Sequence, residues 1–367
     1  MTPDSVDPLR VAIIGYGLAG AVFHGPLVAA TPGMAVAAIV TSNTERRAQA
    51  QRDFPSAAVL SGADEIWSQP SRYDLVVIAA ANRAHTALGM AAIQAGLPVV
   101  IDKPMAASVA DAERLISESK RASVPLTVFQ NRRWDGDFLT VRKLIATNLL
   151  GPVLRFESRF ERYRPAPRPG AWRERPEPED AGGLLYDLGS HVIDQALVLF
   201  GSPSRVYAEV QTRRPGAQVD DDTFVALQFP NGVDAHLWVN VVVRILGPRM
   251  HVSGLRGSYV RYGLDPQEPA LRAGMRPGDA GWGLEPREAW GRLSTDIEGI
   301  HVDGPIETLP GSYEQFYLLL RDALTQGTAL PVDPQEAVTT LRVIEAARRS
   351  AREGVTVPLG EPVRSEA

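Results

Sequence analysis

The sequence predicts an α/β chain in two parts. The N-terminal part is a doubly wound parallel sheet, and the C-terminal part is an α+β domain with an open, mostly antiparallel sheet. Up to about residue 130, short continuous apolar runs alternate with helical patterns, as buried parallel strands and their crossover helices do. Beyond it, apolar residues recur with period two, the pattern of strands covered on one face. The division predicts domains at residues 1–130 and 131–367. The first strand is fixed by Val11-Ala12-Ile13-Ile14, followed at once by Gly15-Tyr16-Gly17-Leu18-Ala19-Gly20, which spells G-x-G-x-x-G. In that pattern the first glycine permits a tight turn, the second lets a pyrophosphate approach the backbone, and the third lets helix and strand pack closely. The helix that follows presents free N–H groups and a partial positive charge to phosphates. A glycine turn without a ligand has the same letters, but strand, loop and helix in this order near the N-terminus are the context of a Rossmann dinucleotide site.

Composition narrows the classes. The 367 residues suit two domains, and 44% hydrophobic with 22% charged residues reads as a globular chain. A net charge of −5 and no long basic run argue against nucleic acid or an anionic membrane as partner. With no cysteine, disulfides, thiolate metal sites and Cys nucleophiles are excluded. The start, MTPDSVDPLR, lacks the apolar core of a signal peptide, and no apolar run reaches the roughly 20 residues of a membrane helix. Cytoplasm is the default expectation.

Residues 22–31 fit the helix after the glycine loop, and Ala35 to Val40 the second strand. NAD sites commonly carry an acid at this strand end for the ribose 2′-hydroxyl. Here the chain reads Thr41-Ser42-Asn43-Thr44-Glu45-Arg46-Arg47, with hydroxyls, an amide and guanidinium groups that suit a 2′-phosphate. Ser42 or Asn43 also suits a helix cap. Further strands are expected at Asp74 to Ala81, Leu97 to Ile101 and Leu126 to Phe129, with helices ending at Gln94 and spanning 108–122. Ligands of such sheets bind at the carboxyl ends of the strands, so Gly15, Thr41, Asn82, Lys103 and Gln130 all point to one crevice. Lys103 either binds a reacting oxygen there or is a loop lysine paired with Asp102.

The second part opens with a helix over 137–149. Period-two strands follow at Val153 to Glu161, Val206 to Thr212, Thr223 to Phe229, Ala235 to Val243 and Met250 to Gly254, and helices near 312–326 and 334–352 close the chain. Residues 161–180, rich in Pro and Arg, form a long loop carrying Tyr163 and Trp172. It reads as a solvated linker or, as connections of that length inside a domain more often are, as a functional or disordered segment. Residues 263–292 also read as loop, and no role follows from their chemistry. In GGLLYDLGSHVIDQ, Asp187 and His191 stand four apart and share a helix face. A carboxylate beside an imidazole suits general acid–base work, while a capping Asp and a core His fit the same spacing. No third ligand lies near, so no metal is expected.

These residues resemble the Gfo/Idh/MocA oxidoreductases from about residue 9 to the C-terminus. The family's E-K-P appears as Asp102-Lys103-Pro104, an Asp-for-Glu departure, and its G-G-x-x-x-D-x-x-x-H as Gly182-Gly183, Asp187 and His191. The family's strand-end proline before His85 is alanine here. GYGLAGAVFHGPL, QNRRWDGDFLTVRKL, ERYRPAPRPGAWRE, LYDLGSHVIDQAL and DPQEPALRAGMRPGDAGWG are similar to the NADP-dependent scyllo-inositol dehydrogenase branch. The resemblance implies hydride exchange between NADP and a carbon bearing a hydroxyl, with Lys103, Asp187 and His191 as the catalytic group. The cofactor contacts expected with it are Gly15, Tyr16, Gly17, Leu18, Gly20, Thr41, Ser42, Asn43, Arg46, Ala80, Asn82, His85, Lys103 and Gln130. Lys103, Arg132, Tyr163, Arg164, Trp172, Arg173, Asp187 and His191 are expected at the substrate. A sugar or keto-sugar reductase is the neighbouring reading, and a cofactor-binding regulator without turnover the one from another class. The half-covered second sheet implies a homodimer or homotetramer.

Overall fold

A computed structural model describes residues 7–168 and 170–360. The first six residues of the polar start lie outside the described residues. The chain forms two compact units. Of the described residues, the first gathers those up to Trp134 together with Gln267–Trp282 and Ser312–Ala337; the second gathers Asp135–Pro266, Gly283–Gly311 and those from Val338 to residue 360.

The first unit is built on β1 (Leu9–Ile14), β2 (Met34–Val40), β3 (Ala58–Leu60), β4 (Leu75–Ile78), β5 (Val99–Asp102) and β6 (Leu126–Phe129). They lie in the order β3-β2-β1-β4-β5-β6, every pair parallel. The chain order reverses between β1 and β4, where doubly wound sheets place their ligand crevice. Val11 to Ile14 and Leu75 to Ile78 are buried throughout, which is why they read as unbroken apolar runs. Leu126–Phe129 was found where expected, β1 and β2 begin a little earlier than expected, the strand expected at Asp74 to Ala81 is shorter and the one at Leu97 to Ile101 is shifted toward its C-terminal end. Strand β3 was not foreseen: it has three partly buried residues, too few for a periodic signal.

Glycine makes the first turn possible. Gly15 has φ +102°, and a Cβ there would lie 2.5 Å from the Ala79 carbonyl oxygen. A Cβ at Gly20 would lie 2.1 Å from the Gly15 oxygen. The helix that follows begins as a π-helical turn, Ala19–His24, and continues as Gly25–Ala30. Late segments cover the sheet's far edge. In the helix Glu314–Gln326, Phe316 stacks edge-on to Phe129 at 5.0 Å and Tyr317 lies 5.9 Å from it, while Thr127 donates to the Val332 oxygen. The stretch expected as a loop over 263–292 contains the helix Gln267–Arg272, which packs on Ala19–His24.

The second unit carries β7 (Val153–Glu161), β8 (Arg205–Gln211), β9 (Asp222–Gln228), β10 (Asp234–Asn240), β11 (Met250–Gly254), β12 (Gly257–Arg261), β13 (Gly291–Ile297), β14 (Ile300–Ile306) and β15 (Val357–Pro358). Their order is β14-β13-β12-β11-β7-β10-β9-β8-β15, antiparallel except for the parallel pair β7–β10. Alternation along β9 and β10 buries Val225, Leu227, Leu237 and Val239 and turns Phe224, His236 and Trp238 to the other face. Helix Ser190–Phe200 packs on β7 and β10. Among the described residues no helix is long and apolar enough to cross a membrane.

Candidate active site

In the first unit the glycine loop, the start of the helix Thr44–Asp53 and the ends of β4 to β6 hold the expected cofactor residues. A Cβ at Gly17 would meet only the Arg46 guanidinium, 3.7 Å away, so the space above this glycine is bounded by a cation. That is a cradle a side chain would fill, and its chemistry fits a phosphate-bearing dinucleotide. Asn43 caps the helix, its Oδ1 accepting from Arg46 N at 2.9 Å, which fixes where Arg46 leaves the helix. Arg47 goes elsewhere: its guanidinium donates to the oxygens of Thr41, Val59 and Ser61 and ties β2 to β3. Ser42 is exposed and Thr41 buried beside it. The Tyr16 ring is turned into the core against Ile39 and Ala50, its hydroxyl donating to Asp53 at 2.7 Å. Leu18 stays exposed at the loop's tip.

At the other strand ends, buried His85 lies between Pro104 O, 2.8 Å from Nδ1, and Ala80 O, 3.2 Å from Nε2. Burial lowers its pKa, and its two ring nitrogens lie against two carbonyl oxygens. It thereby links the loop after β4 to the loop after β5 that bears Lys103. Asp102 accepts from the Lys103 backbone N–H at 2.8 Å and so shapes the turn that presents the lysine. Asn82 is buried, and buried Gln130 has an Oε1 without a hydrogen-bond partner among the described residues. An orphaned acceptor at a strand end is a place for a ligand donor. Arg132, expected at the substrate, is buried in this unit and donates to Glu268 at 2.9 Å and to the Tyr313 hydroxyl at 3.4 Å.

The second unit explains the Gly-Gly of the Asp–His motif. A Cβ at Gly182 would lie 2.3 Å from the Arg175 oxygen, and one at Gly183, φ +92°, 2.0 Å from Asp220 Oδ1. Gly183 N donates to the Arg173 oxygen at 3.0 Å, so the long loop is stitched to the motif. Next comes a π-helical turn, Leu185–Gly189, and then the helix Ser190–Phe200. Asp187 thus sits in the wide turn and buried His191 in the regular helix, a junction often found at functional sites. Arg173 lies over the Trp172 ring at 4.3 Å and pairs with Asp187 Oδ1 at 3.1 Å. Tyr163 is bridged to Val242, and Arg244 both stacks on it at 4.0 Å and donates to its hydroxyl at 2.9 Å. Arg164 N donates to the Val241 oxygen at 2.6 Å.

The structure adds residues that no motif marked. Buried Arg214 reaches Ala166 O, Glu174 Oε2 and Asp221 Oδ2, the last two at 2.9 Å, and so pins the loop. Asp220 accepts from Leu185 N. The only sequence signal for them is the charge run Arg213-Arg214 and Asp220-Asp221-Asp222 flanking a turn, which also reads as a solvated loop.

Two family profiles match this chain. Residues 9–130 match the oxidoreductase family's NAD-binding Rossmann fold, and residues 142–359 its C-terminal alpha/beta domain. The scyllo-inositol 2-dehydrogenase (NADP(+)) IolW of Bacillus subtilis is 40% identical over 96% of this chain and 97% of that protein. The D-apiose dehydrogenase of Paraburkholderia graminis is 27% identical over 89% of this chain and 84% of that protein. Among solved structures, the oxidoreductase YvaA of Bacillus subtilis superposes with a TM-score of 0.91 at 39% identity, covering 97% of this chain and 99% of that one. The chain therefore belongs to the Gfo/Idh/MocA family of oxidoreductases, an enzyme in which a nicotinamide-dinucleotide-binding Rossmann domain is joined to the family's C-terminal α/β domain.

Proposed function

We propose that this enzyme is an NADP-dependent dehydrogenase of CH–OH groups on a cyclic polyol, scyllo-inositol or its keto form being the favoured substrate. The observation that carries the cofactor is Arg46 over Gly17, at a strand end without an acid. The substrate class is supported by the likeness to IolW. Residues 1–130 are assigned to the cofactor and 131–367 to substrate and assembly. Gly15, Gly17 and Gly20 admit the dinucleotide, Ser42, Asn43 and Arg46 take its 2′-phosphate, and Asn82 and Gln130 face its nicotinamide end. When bound, the nicotinamide supplies the hydride acceptor or donor.

The protein's own residues do the remainder. His191 takes the hydroxyl proton at its ring nitrogen, or returns it in reduction. Asp187, whose other side is steadied by Arg173, orients the imidazole and stabilises its cation. The Lys103 ammonium hydrogen-bonds the reacting oxygen. Tyr163, Arg164 and Trp172 offer a polyol donors and an apolar ring face. A screen of NADPH and NADH oxidation against keto-inositols and keto-sugars tests this. The likeness to a D-apiose dehydrogenase supports the second reading, a sugar reductase, which turnover only on open or pentose sugars would select. No turnover with tight NADPH binding would select a regulator. Assembly is part of the reading: Phe224, His236 and Trp238 form an aromatic row, with Arg159 over Trp238 at 3.9 Å, on the face opposite Val225 and Leu237, suited to a second copy.

A further inference from the structure

The acidic run Asp220-Asp221-Asp222 leads into β9, far in sequence from the Asp187–His191 motif, yet two of its members hold the two segments that the proposed chemistry uses. Asp220 serves the helix. Its backbone oxygen accepts from Leu184 N at 3.0 Å and its Oδ2 from Leu185 N at 2.7 Å, with Thr223 Oγ1 steadying that oxygen at 3.2 Å. One residue thus satisfies consecutive N–H groups that a helix start leaves without intrahelical partners. It also fills the space beside Gly183, so glycine there and Asp220 are complementary in shape. Asp221 serves the loop. Fully buried, it accepts from Arg213 N at 2.7 Å, Arg214 N at 3.0 Å and Arg214 Nε at 2.9 Å. The fork of Arg214 then reaches Ala166 O and Glu174 on the loop that bears Tyr163, Arg164 and Trp172. Asp222 is spent within the sheet on Asn240 and Arg213.

We propose that Asp220 and the Asp221–Arg214 pair are positioning residues for the reaction, Asp220 setting the start of the helix that carries Asp187 and His191, and Arg214 setting the substrate loop. This rests on the roles given above to those residues. The two arms have separable consequences. Displacing the Asp187–His191 segment harms the chemical step, because acid–base groups work only in a narrow geometry. Loosening the loop harms substrate binding.

The test uses the full-length enzyme with NADPH added. Asp220→Asn keeps an acceptor for Leu185 N, and Asp220→Ser is too short to reach it. Asp220→Ser is expected to lower kcat at least about tenfold, with KM and NADPH affinity within about twofold of wild type, and Asp220→Asn to recover most of that loss. Arg214→Lys keeps the charge and loses the fork, and is expected to raise KM about tenfold with a smaller change in kcat. A readout without turnover accompanies these: hydrogen exchange at the Leu185 amide should quicken in Asp220→Ser and not in Asp220→Asn. Equal kcat in the two Asp220 variants, or unchanged exchange at Leu185, would overturn the helix arm. An Arg214→Lys enzyme with wild-type KM would overturn the loop arm. Should wild type turn over no polyol or sugar, the functional reading fails by itself, and the exchange measurement still decides on Asp220.

Discussion

Arg46 and Arg47 are adjacent and alike in sequence, yet the structure gives them different work, because a helix turns them about 100° apart. Arg46 borders Gly17 and Arg47 ties β2 to β3. Arg46→Ala is therefore expected to lower the kcat/KM preference for NADPH over NADH by about tenfold, the worth of one hydrogen bond to a charged group. Arg47→Ala should instead lower the melting temperature and leave the preference in place. For the proposed catalytic group, His191→Ala and Lys103→Ala are each expected to cost at least about 10²-fold in kcat, and NADPH should still bind to His191→Ala in a fluorescence titration. Near-normal kcat in either variant would remove that residue from the mechanism. A third residue sets a pH dependence. His24 is wholly buried, its Nδ1 2.6 Å from the Tyr317 hydroxyl, and burial pushes its pKa down to about 4. The folded ring resists a proton that the unfolded ring takes near pH 6.5, so this contribution is complete above that value and is lost as pH falls toward 4. His85 is shifted in the same direction. Calorimetry should show stability falling between pH 6.5 and 4.5, more gently in His24→Gln. The motif letters singled out Lys103, Asp187 and His191 in the sequence as the proposed catalytic group. The pairing of Arg173 with Asp187 was not, since nothing local says which carboxylate a loop arginine will find.

Elements were legible in proportion to the contrast between their faces. The buried strands of the first sheet are unbroken apolar runs, and β7 to β11 alternate, so both kinds were foreseen. The hairpin of β13 and β14 was not. Most residues of β14 are exposed, which erases the period-two signal, and its turn is Glu298-Gly299, with φ +49° and +85° at the two positions. Both angles positive is the two-residue turn that matches strand twist, more readily recognised when the first residue is Asn or Asp. The aromatic row Phe224, His236 and Trp238 bears the prediction at this scale. Light scattering at micromolar concentration should give a dimer or tetramer, and Trp238→Glu should shift it toward monomer by replacing an apolar ring with a charge that a joined face would have to strip of water. A wild-type monomer would end this part of the reading.

At the scale of the whole chain, the order of the elements announced the architecture, but the itinerary of the backbone was hidden. Contacts such as Phe129 with Phe316, or Thr127 with the Val332 oxygen, join residues about half the chain apart in sequence, and no periodicity reports them. The stretches Gln267–Trp282 and Ser312–Ala337 return to the first unit after the chain has begun the second. A fragment ending at residue 130 would thus leave Phe129 and His24 without their covers. We expect it to bind a hydrophobic dye and to fail to bind NADPH, while the full chain does the reverse; a well-folded, NADPH-binding fragment would refute this. For anyone recombining such enzymes, the consequence is that the nucleotide module has no single seam. Moving it intact to another scaffold means transplanting three separate stretches of gene, and a crossover placed at the obvious junction would divide one hydrophobic core between two parents.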